Sequence, residues 1–416
     1  MSLFVRRNVT AWGSTVLAAL ALLATSCAGQ DGVASPPGEG PSTSATPHGH
    51  VEGAQEAAEQ QSRLLLNDPE TGDTRVLDLI TGKAHEVSRT TGVSELTTDG
   101  RFGYLHTTSG TRVLDGGAWT VDHGDHVHYY RAAIRDAGRI PAGAGARVRS
   151  DAAVTAVTGG DGRAALYRRN ELEKGEVGDP CTLPGTHESA VVPYAEHLIA
   201  LTAEEGEATK AVVRDRKGKR VASPEAECEN PRGDAVTRRG VVFGCADGAL
   251  LISEDDGGFT AEKIPYGADV PARERASSFH HRAGSDTLTA RAGRRAVWVL
   301  DVTERTWTRV RTGPVVAVNT AGEGSPLLVL QDDGALHGYD IATGKQVSRT
   351  ERLLTDAPGT RTDGTAGPAI EVDRSRAYLN DPAGDRVYEI DYNDNLRVAR
   401  TFDLDMEPTL MAETGR

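Results

Sequence analysis

The chain has 416 residues, 38% of them hydrophobic and only 5% aromatic, and 60 acidic against 46 basic side chains leave a formal charge of −14. That surplus of acid argues against a nucleic-acid partner, because phosphate neutralisation needs clustered Lys and Arg. With 47 Gly, 19 Pro and no second long apolar run after the N-terminal one, the composition points to many turns and short strands and excludes repeated membrane spans.

Arg6 and Arg7 precede an apolar stretch from Ala11 to Ala24, which exits through Thr25 and Ser26 to Cys27. A basic start, a short apolar core and a small-residue exit make a secretory signal rather than a membrane span. Cys27 resembles a bacterial lipoprotein processing site, so residues 1–27 read as a signal peptide and Cys27 as the lipidated mature N-terminus. The protein is then exported and held at the outer face of the cell membrane by its lipid alone. An ordinary cleaved signal with an incidental Cys is the alternative, and Arg6-Arg7 weakly suggests twin-arginine export. Residues 28–61 form a second region. To Pro47 it is Gly, Ser, Pro and Thr, a tether unable to bury enough surface to order itself. From Val51 to Gln61, Ala and Glu dominate and predict a short helix. His48 and His50 lie between the two, placed to catch an ion on a moving arm or simply to be solvated.

Residues 62–416 repeat themselves. Thr74-Arg-Val-Leu-Asp-Leu-Ile-Thr-Gly-Lys83 matches Ala335-Leu-His-Gly-Tyr-Asp-Ile-Ala-Thr-Gly-Lys345, and both run on to a Val-Ser-Arg-Thr strand. Looser copies end near Asp115, Asp215, Glu254, Asp301 and Asp391, with a degenerate one at Ala164–Arg169, and the anchors recur every 37 to 53 residues. Short alternating strands at that period predict an all-β fold, a single β-propeller of about four strands per blade. Eight blades are counted, or seven if the degenerate unit is not one. Two β-sandwich domains are disfavoured because no linker interrupts the region. The C-terminal Pro408–Glu413 looks like an innermost strand without a blade, and the first unit, from Arg63, lacks one. Pairing them closes the ring and removes exposed edges.

Twelve histidines are unevenly spread. His123, His126 and His128 fall within six residues, flanked by Asp122 and Asp125 and followed by Tyr129-Tyr130. Imidazole nitrogen and carboxylate oxygen suit Zn²⁺, and nearby acids commonly fix the tautomer of a ligating His. On a strand His126 and His128 share a face, and Gly124 allows the turn that brings His123 round. His187 precedes a predicted innermost strand. The His123–His128 segment is read as a connection to another such strand, so His187 is a potential fourth ligand. His280-His281 point to opposite faces of any strand they open, and the isolated His85, His106, His197 and His337 read as structural. No hydrolase elbow, phosphate loop or dinucleotide fingerprint is apparent. Glu188 or Asp125 could still act as base in a metal-dependent lactonase- or esterase-like propeller. A non-catalytic scaffold is the third reading. Beyond Cys27 the cysteines are Cys181, Cys228 and Cys245. Export permits a disulfide, and Cys228–Cys245 would span one hairpin, but spacing alone leaves the pairing open.

The exported lead, the His48-Gly-His-Val-Glu-Gly53 segment, the propeller body and above all Asp122-His-Gly-Asp-His-Val-His-Tyr-Tyr130 resemble the AztD-type zinc metallochaperones. The likeness continues through Cys228, Phe243-Gly-Cys-Ala-Asp-Gly248 and Arg397-Val-Ala-Arg-Thr-Phe-Asp-Leu404, so it spans residue 48 to the C-terminus. It implies an extracytoplasmic, non-enzymatic protein, expected to be a monomer. Such a protein binds Zn²⁺ and hands it to the solute-binding protein of a zinc ABC importer. His123, His126 and His128 then belong to the binding apparatus, with the His48/His50 arm aiding transfer. Asn230-Pro-Arg-Gly233 stands where the pattern has a histidine, and Thr186 and Glu188 flank His187 where it has His-His-Gly. Arginine cannot ligate a metal, so one site is expected rather than two.

Overall fold

A computed structural model describes residues 53–123, 126–203, 208–356 and 367–416. Cys27, His48, His50 and Asp125 lie outside them. Among the described residues no helix is long and apolar enough to cross a membrane.

Eight antiparallel meanders follow one another along the chain, the innermost element coming first in sequence in the second to eighth, and a further three-stranded sheet is set into the second. The degenerate unit is a full blade: Arg147–Ser150, Val154–Thr158, Ala164–Arg168 and Cys181–Thr182 pair in order. A one-and-a-half-turn helix, Arg169–Lys174, and a loop replace the tight turn before its last strand, which is why the motif looked eroded. In the sixth blade the innermost element is reduced to a bridge between His280 and Thr289. Leu410–Thr414 pairs with Arg63–Asn67 in the register Arg63↔Thr414 to Asn67↔Leu410, so the last strand completes the first blade.

Side chains that alternate along each strand go to the two neighbouring blades. Leu64 and Leu66 pack with Tyr378, Val387 and Phe402 of the eighth blade, whereas Leu65 packs with Leu105 and Leu114 of the second. Every adjacent pair of blades shares such a core, the eighth with the first included. A ring is the arrangement that lets both faces of every sheet be covered. The recurring acidic anchors are turn caps. Asp78 Oδ1 accepts from the amides of Ile80 and Thr81 at 3.1 and 2.8 Å, and Asp340 Oδ1 accepts from the Thr343 amide at 2.7 Å. Cys228 and Cys245 are joined by a disulfide within the core between the fourth and fifth blades, and Cys181 is free and exposed.

Two expectations are corrected. The Ala/Glu-rich segment ahead of the ring contains a strand, Gln55–Ala57, and no helix within residues 53–61. An available strand edge outweighs a weak helical propensity in so short a stretch. That edge belongs to the second difference. Residues 118–131 do not lead to an innermost strand; they form a hairpin inserted between the third strand, Gly110–Asp115, and the outermost strand, Arg135–Ile140, of the second blade.

Candidate metal centre

The hairpin consists of Ala118–Asp122 and Val127–Arg131, and Gln55–Ala57 adds to it as a third strand in the order arm, return, outgoing. Its base is fixed to the ring. Ala132 N–H donates to the Gly117 carbonyl at 2.7 Å, Arg63 Nη1 to the Gly116 carbonyl at 2.6 Å, and Thr120 Oγ1 to the Gly415 carbonyl at 3.1 Å. Trp119 stacks on Tyr130 with centroids 5.3 Å apart, and Tyr130 stacks on His128 at 6.1 Å. The site is therefore carried by a braced strand pair rather than by a loose loop.

At the tip His123 N–H donates to the His126 carbonyl at 3.0 Å, which folds the chain back on itself. The rings of His123 and His126 stack at 4.9 Å, and that of His128 meets them edge-on at 5.3 and 4.9 Å. One ligand nitrogen from each lies within 4.8 Å of the others. Nitrogens around a tetrahedral ion bound at about 2.0–2.1 Å stand roughly 3.3 Å apart, so small side-chain rotations suffice to close the set. His123 and His126 are exposed, whereas His128 is only 8% exposed.

His128 is oriented from outside its own hairpin. Its Nδ1 lies 2.6 Å from Oε1 of Glu56, the middle residue of the arm strand. A carboxylate acceptor there puts the ring proton on Nδ1 and leaves the Nε2 lone pair for a ligand, the arrangement that commonly backs a metal-bound imidazole. The arm strand itself buries almost no surface. Ordering its backbone costs about 1–2 kcal/mol per residue, and each backbone bond returns about 0.5–1.5 kcal/mol. A bond to a charged group adds about 1.5–3 kcal/mol. Within that balance the Glu56–His128 contact and the Arg131–Gln55 bond are what hold the strand beyond its backbone pairing.

Of the residues singled out in sequence, His123, His126 and His128 come together without Asp122. Asp122 pairs with Val127, so it lies on the pleat face opposite to His128. His187 does not join them. In a meander the connections alternate ends. The inserted hairpin leaves the end that carries the turns between first and second strands, and His187 sits at the other end, where its N–H donates to the Gly162 carbonyl at 2.9 Å. It is buried, its Nδ1 lies 3.1 Å from the same carbonyl, and burial pushes its pKa down. Glu188 goes with it, which removes that candidate base from the histidine tip. His106 is held through both ring nitrogens, by Thr97 and Thr111 at 2.9 Å each, and His337 by Gln346 and Asp333, so both are structural as expected. Among the described residues no second group of three ligand side chains is found. Sequence reading missed Glu56, which lies 72 positions from His128. The only signal for it was an acidic residue in a segment that looked helical.

No protein-family model matches the chain, and no curated protein sequence does. Solved structures do. Apo AztD from Citrobacter koseri superposes with a TM-score of 0.69 at 16% identity, over 85% of this chain and 98% of that one. The chain has the AztD fold. A crystal structure of Citrobacter koseri AztD agrees, with a TM-score of 0.69 at 18% identity and the same coverage. The dihydro-heme d1 dehydrogenase NirN, in complex with DHE, matches with a TM-score of 0.50 at 14% identity, over 86% of this chain and 76% of that one. At these identities the likeness to AztD and to NirN is one of fold, and the chemistry rests on the residues themselves.

Proposed function

We propose that the protein is an extracytoplasmic zinc metallochaperone. It captures Zn²⁺ at His123, His126 and His128 and passes it to the solute-binding protein of a zinc ABC importer. The observation that carries this reading is the meeting of three imidazole nitrogens within 4.8 Å at the tip of a braced, solvent-facing hairpin. Three protein nitrogens leave one position of a tetrahedral ion for water or for an incoming ligand. With two of the three rings exposed, an acceptor's ligands can replace them one at a time, so the ion is never released bare. A structural zinc site, closed by four buried ligands, would hold its metal against such exchange.

On the same reading the protein is a monomer anchored to the outer face of the cell membrane through a lipid on Cys27. Asp122 and Asp125, neighbours of the histidines in sequence, add negative charge, and His48 and His50 take part in transfer. His187 has no part in the primary site. The protein is assigned no catalytic activity of its own.

The test is calorimetric titration of metal-free protein with Zn²⁺, comparing wild type with the His126→Ala/His128→Ala double variant. Wild type is expected to bind one ion tightly and the variant to lose at least a hundredfold in affinity. Equal stoichiometry and affinity in the two proteins reject the assignment.

A further inference from the structure

The arm strand Gln55–Ala57 has no reason of its own to stay on the hairpin. Its three residues are exposed or half-buried, and it contributes to none of the inter-blade cores. Among the described residues, three contacts hold it. One is the backbone register with Tyr129–Arg131, and another is Arg131 Nε donating to Gln55 Oε1 at 3.1 Å on the exposed side. The third is Glu56 on His128, which reaches a residue of the histidine tip.

We infer that docking of the arm strand and metal occupancy of the histidine tip are coupled through Glu56, which acts as a positioning residue for His128. This rests on the zinc-binding reading above. A cation on Nε2 withdraws electron density from the ring and makes the Nδ1 proton a stronger donor, so the bond to the Glu56 carboxylate tightens when metal is present. Because the strand is held so lightly, that increment shifts its docked population. Linkage is reciprocal: whatever tightens the strand when zinc binds must tighten zinc when the strand is docked. Zinc thus fastens the arm to the hairpin, and withdrawal of the arm strand loosens zinc. An acceptor that competes for the arm strand would weaken the site at the moment of transfer.

Hydrogen–deuterium exchange on the full-length protein, with and without one equivalent of Zn²⁺, reads the coupling directly. Exchange in the segment spanning Gln55–Ala57 is expected to slow about tenfold on zinc addition in wild type. In Glu56→Gln, which keeps the side-chain shape and loses the charge, that slowing disappears. Zinc affinity, measured by competition with a chromophoric chelator, falls 10- to 100-fold. Glu56→Ala falls at least as far. Wild-type protein that binds one zinc with no change of exchange in this segment overturns the coupling, as does a Glu56→Gln variant of undiminished affinity. Either result leaves the zinc site standing. Absence of stoichiometric zinc in wild type overturns the site and the coupling together.

Discussion

The guanidinium of Arg101 lies 3.7 Å from the centroid of the Trp119 ring, and Arg101 is itself held by the fully buried Asp115 through an ion pair of 3.1 Å. Arg101 stands in the turn between the first two strands of the second blade, and Trp119 in the inserted hairpin. A cation over an indole face, partly desolvated, contributes on the order of 1–2 kcal/mol. This contact registers the hairpin on the ring, and the stack continues through Tyr130 to His128.

Trp119→Ala should therefore loosen the histidine tip while sparing the propeller. Zinc affinity is expected to fall about tenfold or more, by chelator competition. The main thermal transition should move less than in a variant of an inter-blade core, because Trp119 belongs to no such core.

Leu65 supplies that comparison. It is fully buried between the first and second blades, so Leu65→Ala should destabilise the ring by about 2–5 kcal/mol in denaturant unfolding. Zinc affinity of the folded variant should be unchanged, since Leu65 and the histidine tip share no contact in the cores.

Removal of residues 408–416 should unpair Arg63–Asn67 and expose its edge. Self-association is expected, detected by sedimentation as a shift to larger species relative to the intact chain.

Two buried groups push stability in opposite directions as pH changes. Burial pushes the Glu413 carboxyl up to about 8, and Glu413 is fully buried beside Arg416 and Ser62. The folded state then binds more protons than the unfolded one from the ordinary carboxyl value up to about 8, so stability falls as pH rises through that window. Burial pushes His106 down to about 4, so its contribution is lost as pH falls from the ordinary imidazole value towards 4. Glu413→Gln should remove the fall of stability between pH 6.5 and about 8, where His106 no longer titrates, and steepen the rise between 4.5 and 6.5, where the two slopes oppose each other, measured as thermal midpoint against pH. One proton sets a ceiling of about 1.4 kcal/mol per pH unit on the change of slope.

Most of the ring was legible because its physics is local and periodic. The alternation of Leu64, Leu65 and Leu66, the matching Asp78 and Asp340 turns and the orphan strand at Leu410 each state one blade or its closure within a few residues. The histidine tip was legible for the same reason: one short hairpin turn brings His123, His126 and His128 within 4.8 Å of one another. What sequence could not show is what depends on distant pairing. Gln55–Ala57 becomes a strand only because the return strand of an insertion offers it an edge. His187 and the histidine tip were assigned to one end of the ring because the insertion was not recognised. Its extra two strands shifted the count from which ends are assigned.

Diffraction at the zinc absorption edge from zinc-loaded crystals shows whether three imidazoles hold one cation. A single strong anomalous peak is expected about 2.0–2.1 Å from nitrogens of His123, His126 and His128. A peak bound elsewhere, or none within reach of those rings, would contradict it.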